Sequence, residues 1–170
     1  MTPKEMGKVV ERRLKHYLTG DILQMVGKTD LLCFTANSTL NMHQGLVMGA
    51  GSALAFKRKM PELPHLFGRV MRDKFTLREV HAYPKYGLMV VRADSGQLVG
   101  ALQTKRNWRD DSNLDLIDYS LFQLNQYYMH SGLKRADFAM PGVGHGHLDP
   151  TVVRELVDHY LVPGMYVWRK

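Results

Sequence analysis

Asp30-Leu31-Leu32-Cys33-Phe34-Thr35 leads through the polar stretch Asn37 to Gln44 into Gly45-Leu46-Val47-Met48-Gly49-Ala50-Gly51, and from there into Ser52-Ala53-Leu54-Ala55-Phe56-Lys57-Arg58-Lys59-Met60. The first segment is a largely apolar run of strand length, the pattern of a strand buried on both faces. The last holds strong helix formers and ends in cations, which suit a helix C-terminus, with Pro61 and Pro64 placed to stop it. The unit is a strand, a glycine loop and a helix. It recurs near the end of the chain, where the strand Ala136 to Met140 precedes Pro141-Gly142-Val143-Gly144-His145-Gly146-His147. A helix then starts at Asp149-Pro150 and is expected to bury Val153, Leu156, Val157 and Tyr160.

The remaining segments fit around these two units. His16 to Thr19 reads as a short strand ending at Gly20-Asp21, and Leu66 to Phe75 as a second short helix. Leu77 to Tyr83, Leu88 to Ala93 and Gln97 to Thr104 are strand candidates, the last two joined as a hairpin by Asp94-Ser95-Gly96. In Ser112 to Tyr128, apolar residues step by 3, 4, 3 and 4 through Leu114, Ile117, Leu121, Leu124 and Tyr128, the clearest helix of the chain. Ser112 with Asp115 resembles a capping box, and Gly132 ends that helix. Met165 to Trp168 closes the chain as a strand, while residues 1–15 form a helical or irregular extension. Strands and helices alternate around one hairpin, which predicts an α/β layered fold with a mixed sheet.

The 170 residues suit a single domain spanning 1–170, and 45% apolar with 23% charged types is a globular composition. No apolar run approaches the roughly 18 residues of a membrane helix, and no secretory h-region follows Met1. One cysteine, Cys33, fits a reducing compartment. The expectation is a soluble, cytoplasmic monomer with no membrane partner. A net charge of +7 favours anionic partners such as nucleic acid or phosphorylated ligands.

Glycine lets backbone approach a ligand closely, and the helix that follows offers free N–H groups to an anion. In an open α/β sheet, such loops at the carboxyl ends of strands form the ligand crevice. Two of them could hold a diphosphate from both sides. No Gly-x-x-x-x-Gly-Lys-Ser/Thr signature occurs, and the alternating Gly142, Gly144 and Gly146 differ from the dinucleotide-binding pattern. His145 and His147, two apart with no carboxylate or thiol at ligand spacing, do not read as a metal site.

Tyr17-Leu18-Thr19-Gly20-Asp21-Ile22, then Met48 to Lys57, then Pro141 to Gly146, resemble in order and spacing the macrodomain family over almost the whole chain. Leu102-Gln103-Thr104-Lys105-Arg106-Asn107-Trp108-Arg109 is similar to one branch, which contains the terminal ADP-ribose glycohydrolase and the macrodomain of the DarG antitoxin. The resemblance implies a three-layer α/β/α sandwich with a central mixed sheet, whose crevice binds ADP-ribose without a cofactor. It implies that Asp21 accepts a hydrogen bond from adenine, a helix N-cap being the alternative. Gly49, Ala50 and Gly51, with Gly144, His145 and Gly146, would wrap the diphosphate and distal ribose. Ile22, Thr104, Gly142, Val143 and His147 complete the implied ligand-binding set. Asn37 is the candidate for a distal-ribose contact, with Asn41 as the alternative.

In that branch the lysine of the Thr-Lys motif is catalytic, and Lys105 is the matching position. A lysine amine can attack the anomeric carbon of an opened ribose and form a Schiff base that hydrolyses or rearranges. The branch's second catalytic group is an aspartate in the second glycine loop. Here the acid, Asp149, comes one residue later than a gapless match and also reads as a helix N-cap before Pro150. His145 or His147 could replace it as acid and base. The expected activity is an ADP-ribosyl glycohydrolase acting on modified DNA or protein. The alternatives are a non-catalytic ADP-ribose reader, or hydrolysis of ADP-ribose 1''-phosphate or acylated ADP-ribose. Trp108 beside Arg106 and Arg109 suits a nucleic-acid substrate through stacking and phosphate contacts.

Overall fold

A computed structural model describes residues 2–6, 15–143 and 146–170. Six strands among them make one sheet: β1 (Tyr17–Thr19), β2 (Leu31–Ala36), β3 (Leu88–Arg92), β4 (Leu98–Gln103), β5 (Ala136–Ala139) and β6 (Met165–Arg169), in the order β1-β6-β5-β2-β4-β3. Neighbours run parallel except β3 and β4, the expected hairpin. The helices are α1 (Gly51–Lys59), α2 (Leu63–Lys74), α3 (Leu77–His81), α4 (Leu114–His130) and α5 (Pro150–Tyr160), with one 3₁₀ turn at Ile22–Met25. None of the described helices is long and apolar enough to cross a membrane.

Alternation along β2 builds both halves of the core, as period-2 geometry requires. Leu32 and Phe34 meet Phe56 of α1 and Phe67 of α2, with Phe34 ring centroids 5.2 Å and 5.4 Å from those of Phe56 and Phe67. Leu31 and Cys33 face the other way, toward Ile117, Leu121 and Leu124 of α4 and Val153 and Val157 of α5. Burial pushes the Cys33 thiol up, so it stays protonated and acts as a small hydrophobe. Helices on both faces of a mixed sheet give the expected three-layer α/β/α sandwich.

The topology positions the site. From β2 the chain crosses toward β4, whereas from β5 it crosses toward β6, yet β2 and β5 are neighbours. Their connections therefore leave in opposite directions and open a crevice at the carboxyl edge, the usual ligand position in open α/β sheets.

Four local expectations need correction. Leu77 to Tyr83 is not a strand: Thr76 and Glu79 form a reciprocal capping box, with Thr76 Oγ1 accepting from the Glu79 N–H and Glu79 Oε1 from the Thr76 N–H. Two otherwise orphan donors are satisfied, which favours the short helix α3. Pro64 does not stop α1 but lies in the first turn of α2, where its missing N–H costs nothing. The cap of α4 is Asn113, whose Oδ1 accepts from the Leu116 N–H at 3.0 Å, rather than Ser112 with Asp115. Leu156 and Tyr160 of α5 are only half-buried. Of the extension expected to be helical or irregular, residues 3–6 are helical, and 7–14 lie outside the described residues.

Candidate functional site

The first glycine loop is sewn to the end of β2. The Thr35 N–H donates to Ser52 Oγ at 3.1 Å, and the two side-chain hydroxyls are also 3.1 Å apart. The N-terminus of α1 is thereby fixed against the strand. Gly51 enters that helix at φ +56°, a left-handed geometry that costs glycine little. Ala50 occupies the cap position and has no side-chain hydrogen bond to offer, so first-turn N–H groups of α1 lack a side-chain cap. No protein atom lies within 4 Å of where a Cβ on Gly49 would be. Together these make an open, N–H-rich edge of the kind that suits a phosphate.

Asn37 is a strut of this loop. Its Nδ2 donates to the Val47 carbonyl at 3.0 Å and its Oδ1 accepts from the Thr39 N–H at 2.9 Å, while its own carbonyl accepts from the Tyr86 hydroxyl. Burial pushes the Tyr86 phenol up, which keeps it a donor. Asn41 Oδ1 accepts from the His43 and Gly45 N–H groups and so closes the turn beside it.

The Thr-Lys segment follows β4 and is held by Gln103, which is fully buried. Gln103 Oε1 accepts from the Tyr86 and Gly87 N–H groups, and its Nε2 donates to the Pro84 and Lys105 carbonyls. Thr104 is buried, bonded through its N–H to the Ala36 carbonyl at 2.9 Å. Lys105 emerges half-buried into a pocket of about 500 Å³, lined also by Lys85, Arg106, Asp110, Asp111 and Asp115. The Arg106 guanidinium turns away, donating to the Tyr83 carbonyl at 2.6 Å and to that of Ala82 at 3.1 Å at the end of α3. Trp108 is 48% exposed, anchored by its backbone N–H on Thr39 Oγ1, with the Arg109 guanidinium 5.0 Å from the ring centre.

The second glycine loop closes against the start of α4. The Ser112 N–H donates to the Gly146 carbonyl at 3.0 Å, and Gly146 lies so near Ser112 Oγ that no Cβ fits. Gly142, at φ +76°, is packed against Ile117 and Leu148. His147 Nδ1 is 2.8 Å from Asp111 Oδ1. Asp149 Oδ1 accepts from the Thr151 N–H at 2.9 Å and caps α5. Gly144 and His145 lie outside the described residues.

No family model matches the chain. A protein named DNA ADP-ribosyl glycohydrolase from Mycobacterium tuberculosis is 35% identical over 141 residues, 78% of this chain and 34% of the relative, and its Mycobacterium bovis counterpart matches equally. The chain thus spans about a third of the length of these relatives. The macrodomain of Mycobacterium tuberculosis DarG superposes with a TM-score of 0.69 at 28% identity, over 91% of this chain and 96% of that one. A Thermosipho africanus DarTG structure in complex with ADP-ribose shares the fold, with a TM-score of 0.72 at 20% identity over 91% of this chain and 41% of that one. The chain is a macrodomain of the DarG-like branch.

In this macrodomain the loops after β2, β4 and β5 meet at one edge. Gly49 to Gly51, Thr104, Lys105, Gly142, Val143, Gly146 and His147 lie in these loops. Asp21 follows β1, where its Oδ1 accepts from the Leu23 N–H at 2.9 Å and caps the 3₁₀ turn, with Ile22 buried behind it. The N-cap alternative for Asp21 is thus present in the structure, and its exposed side chain retains a second oxygen. Sequence reasoning missed Gln103, Lys85 and Asp111. Gln103 sits directly before Thr-Lys and was legible as a neighbour, but Lys85 and Asp111 join only through folding.

Proposed function

We infer that this macrodomain is an ADP-ribosyl glycohydrolase that releases ADP-ribose from modified nucleic acid, with Lys105 as nucleophile. The observation that carries the reading is the half-buried Lys105 just past the carboxyl end of β4, in a pocket of about 500 Å³. The names of the curated relatives support DNA as the carrier. Binding falls to the glycine loops: Gly49, Ala50 and Gly51 present N–H groups to the diphosphate, with Gly142, Val143 and Gly146 on the other side. Asp21 and Ile22 take the adenine end, and Thr104 lines the ribose end. Asn37 supports the loop, and its remaining amide hydrogen is the distal-ribose contact.

Chemically, Lys105 Nζ attacks C1'' of the distal ribose as the bond from C1'' to the carrier atom breaks and the carrier takes a proton. Water then cleaves the lysine adduct, returning the amine and free ADP-ribose. The net reaction is conjugate plus water giving ADP-ribose plus the protonated carrier. Wild type and Lys105→Ala incubated with ADP-ribosylated oligonucleotide and with ADP-ribosylated protein test this. The variant should lose at least ~100-fold in release from the oligonucleotide while its affinity for free ADP-ribose changes little. Full turnover by Lys105→Ala would end the lysine mechanism. A second reading, a non-catalytic ADP-ribose reader, draws support from Asp149, whose carboxylate caps α5. Tight ADP-ribose binding with no release from any conjugate would favour it.

A further inference from the structure

We propose that Asp111 is a positioning residue that orients His147 as the proton donor and acceptor for the carrier atom, a refinement that rests on the glycohydrolase reading above. The pair bridges two loops from distant parts of the chain, one before α4 and one after β5, with His147 Nδ1 2.8 Å from Asp111 Oδ1. Asp111 lines the same pocket as Lys105, together with the cation Lys85 and the carboxylates Asp110 and Asp115. The backbone beside it is stitched, because the Ser112 N–H donates to the Gly146 carbonyl and Gly146 has no room for a side chain. The pair is therefore set by neighbouring backbone and not by two free side chains.

Stability does not account for this arrangement. Both side chains are exposed, at 69% and 73%, and exposed ion pairs contribute little. His147 also holds φ +61°, a left-handed conformation uncommon for any residue with a Cβ and one that gathers at functional sites. Asp149, the acid that the resemblance assigned to this loop, is engaged in capping α5. A carboxylate that accepts from Nδ1–H selects one imidazole tautomer and leaves Nε2 as the reacting atom.

The protons balance. Imidazolium Nε2–H gives its proton to the carrier nitrogen or oxygen as the bond to C1'' breaks. Neutral Nε2 then takes a proton from the water that cleaves the lysine adduct, and the imidazolium is restored.

The test uses the full chain as wild type, His147→Gln, Asp111→Asn and Asp111→Glu. Two conjugates are compared, an oligonucleotide with ADP-ribose on a base nitrogen and the 4-nitrophenyl conjugate of ADP-ribose, whose phenolate departs without a proton. Both His147→Gln and Asp111→Asn should lose ~100-fold in kcat on the oligonucleotide and at least ~10-fold less than that on the nitrophenyl conjugate, with Asp111→Glu recovering part of the loss. Equal losses on both conjugates, or no loss, overturn the proposal. Nitrogen-15 NMR of neutral His147 should show the Nδ1–H tautomer in wild type and a different tautomer balance in Asp111→Asn. Identical spectra overturn the role of Asp111. If wild type cleaves neither conjugate, the glycohydrolase reading falls with the proton-transfer role, and the NMR result alone decides whether Asp111 orients the ring.

Discussion

Gly146 is the residue on which the second loop turns. Its carbonyl holds the Ser112 N–H and its missing side chain makes room for the Ser112 hydroxymethyl. Gly146→Ala should destabilise the fold by about 1–3 kcal/mol, the cost of overpacking a closed contact. Gly146→Ala combined with Ser112→Gly should recover most of that, because the colliding atoms are gone and the two sites are coupled. Denaturant melts of the two single variants and the pair measure it, and strict additivity would contradict the contact. Lys105 poses the opposite case. It is half-buried in its pocket, and its position is set by Gln103 and Thr104, which anchor the backbone on either side of the strand end.

At the scale of elements, α4 and α5 are joined by Tyr160 as well as by apolar contacts. The Tyr160 hydroxyl donates to Asp118, and Asn125 Nδ2 donates to the Tyr160 carbonyl at 2.9 Å. The hydrogen bond to Asp118, helped by burial, pushes the Tyr160 phenol from 10.0 up to about 12. A group whose pKa is raised by folding stabilises the fold below its unfolded pKa and loses that contribution as pH rises through the folded one. The Tyr160 contribution is thus complete below pH 10 and vanishes by about pH 12. Tyr160→Phe should flatten the fall in stability over that window and leave it otherwise similar in shape, as chemical melts between pH 9 and 12 would register. The two half-units that frame the crevice were legible at this scale because each combines an apolar strand, glycines and a helix with its own stop signal. The strand expected at Leu77 failed because Thr76 and Glu79 act locally through hydrogen bonds, which hydrophobic patterning does not weigh.

Over the whole molecule, the charge of +7 and the exposed Trp108–Arg109 pair bear on the carrier. If single-stranded nucleic acid lies across this rim, KM for an ADP-ribosylated oligonucleotide should rise with salt. Arg109→Ala should reduce the log–log slope by about 0.7, one phosphate's worth. Trp108→Ala should raise that KM by roughly tenfold, as loss of one stacked base does, with affinity for free ADP-ribose unchanged. Steady-state kinetics at 50 and 200 mM salt decide it, and an unchanged slope in Arg109→Ala would remove the phosphate contact.

The sequence by itself determined the layered α/β fold and the two glycine loops, while Lys105 was singled out only through the resemblance of its Thr-Lys segment to one macrodomain branch. Those features are local in origin: alternation, helix periodicity, and glycines in a strand-to-helix context. What only the tertiary structure decided is the company these residues keep. Asp111 meets His147, 36 positions later in the chain, Arg106 turns to the end of α3, and Asn37 becomes a strut under Tyr86. No local pattern encodes these encounters. They follow from the opposed crossovers at β2 and β5, which place the loops after β2, β4 and β5 along one edge and let side chains distant in sequence hydrogen-bond.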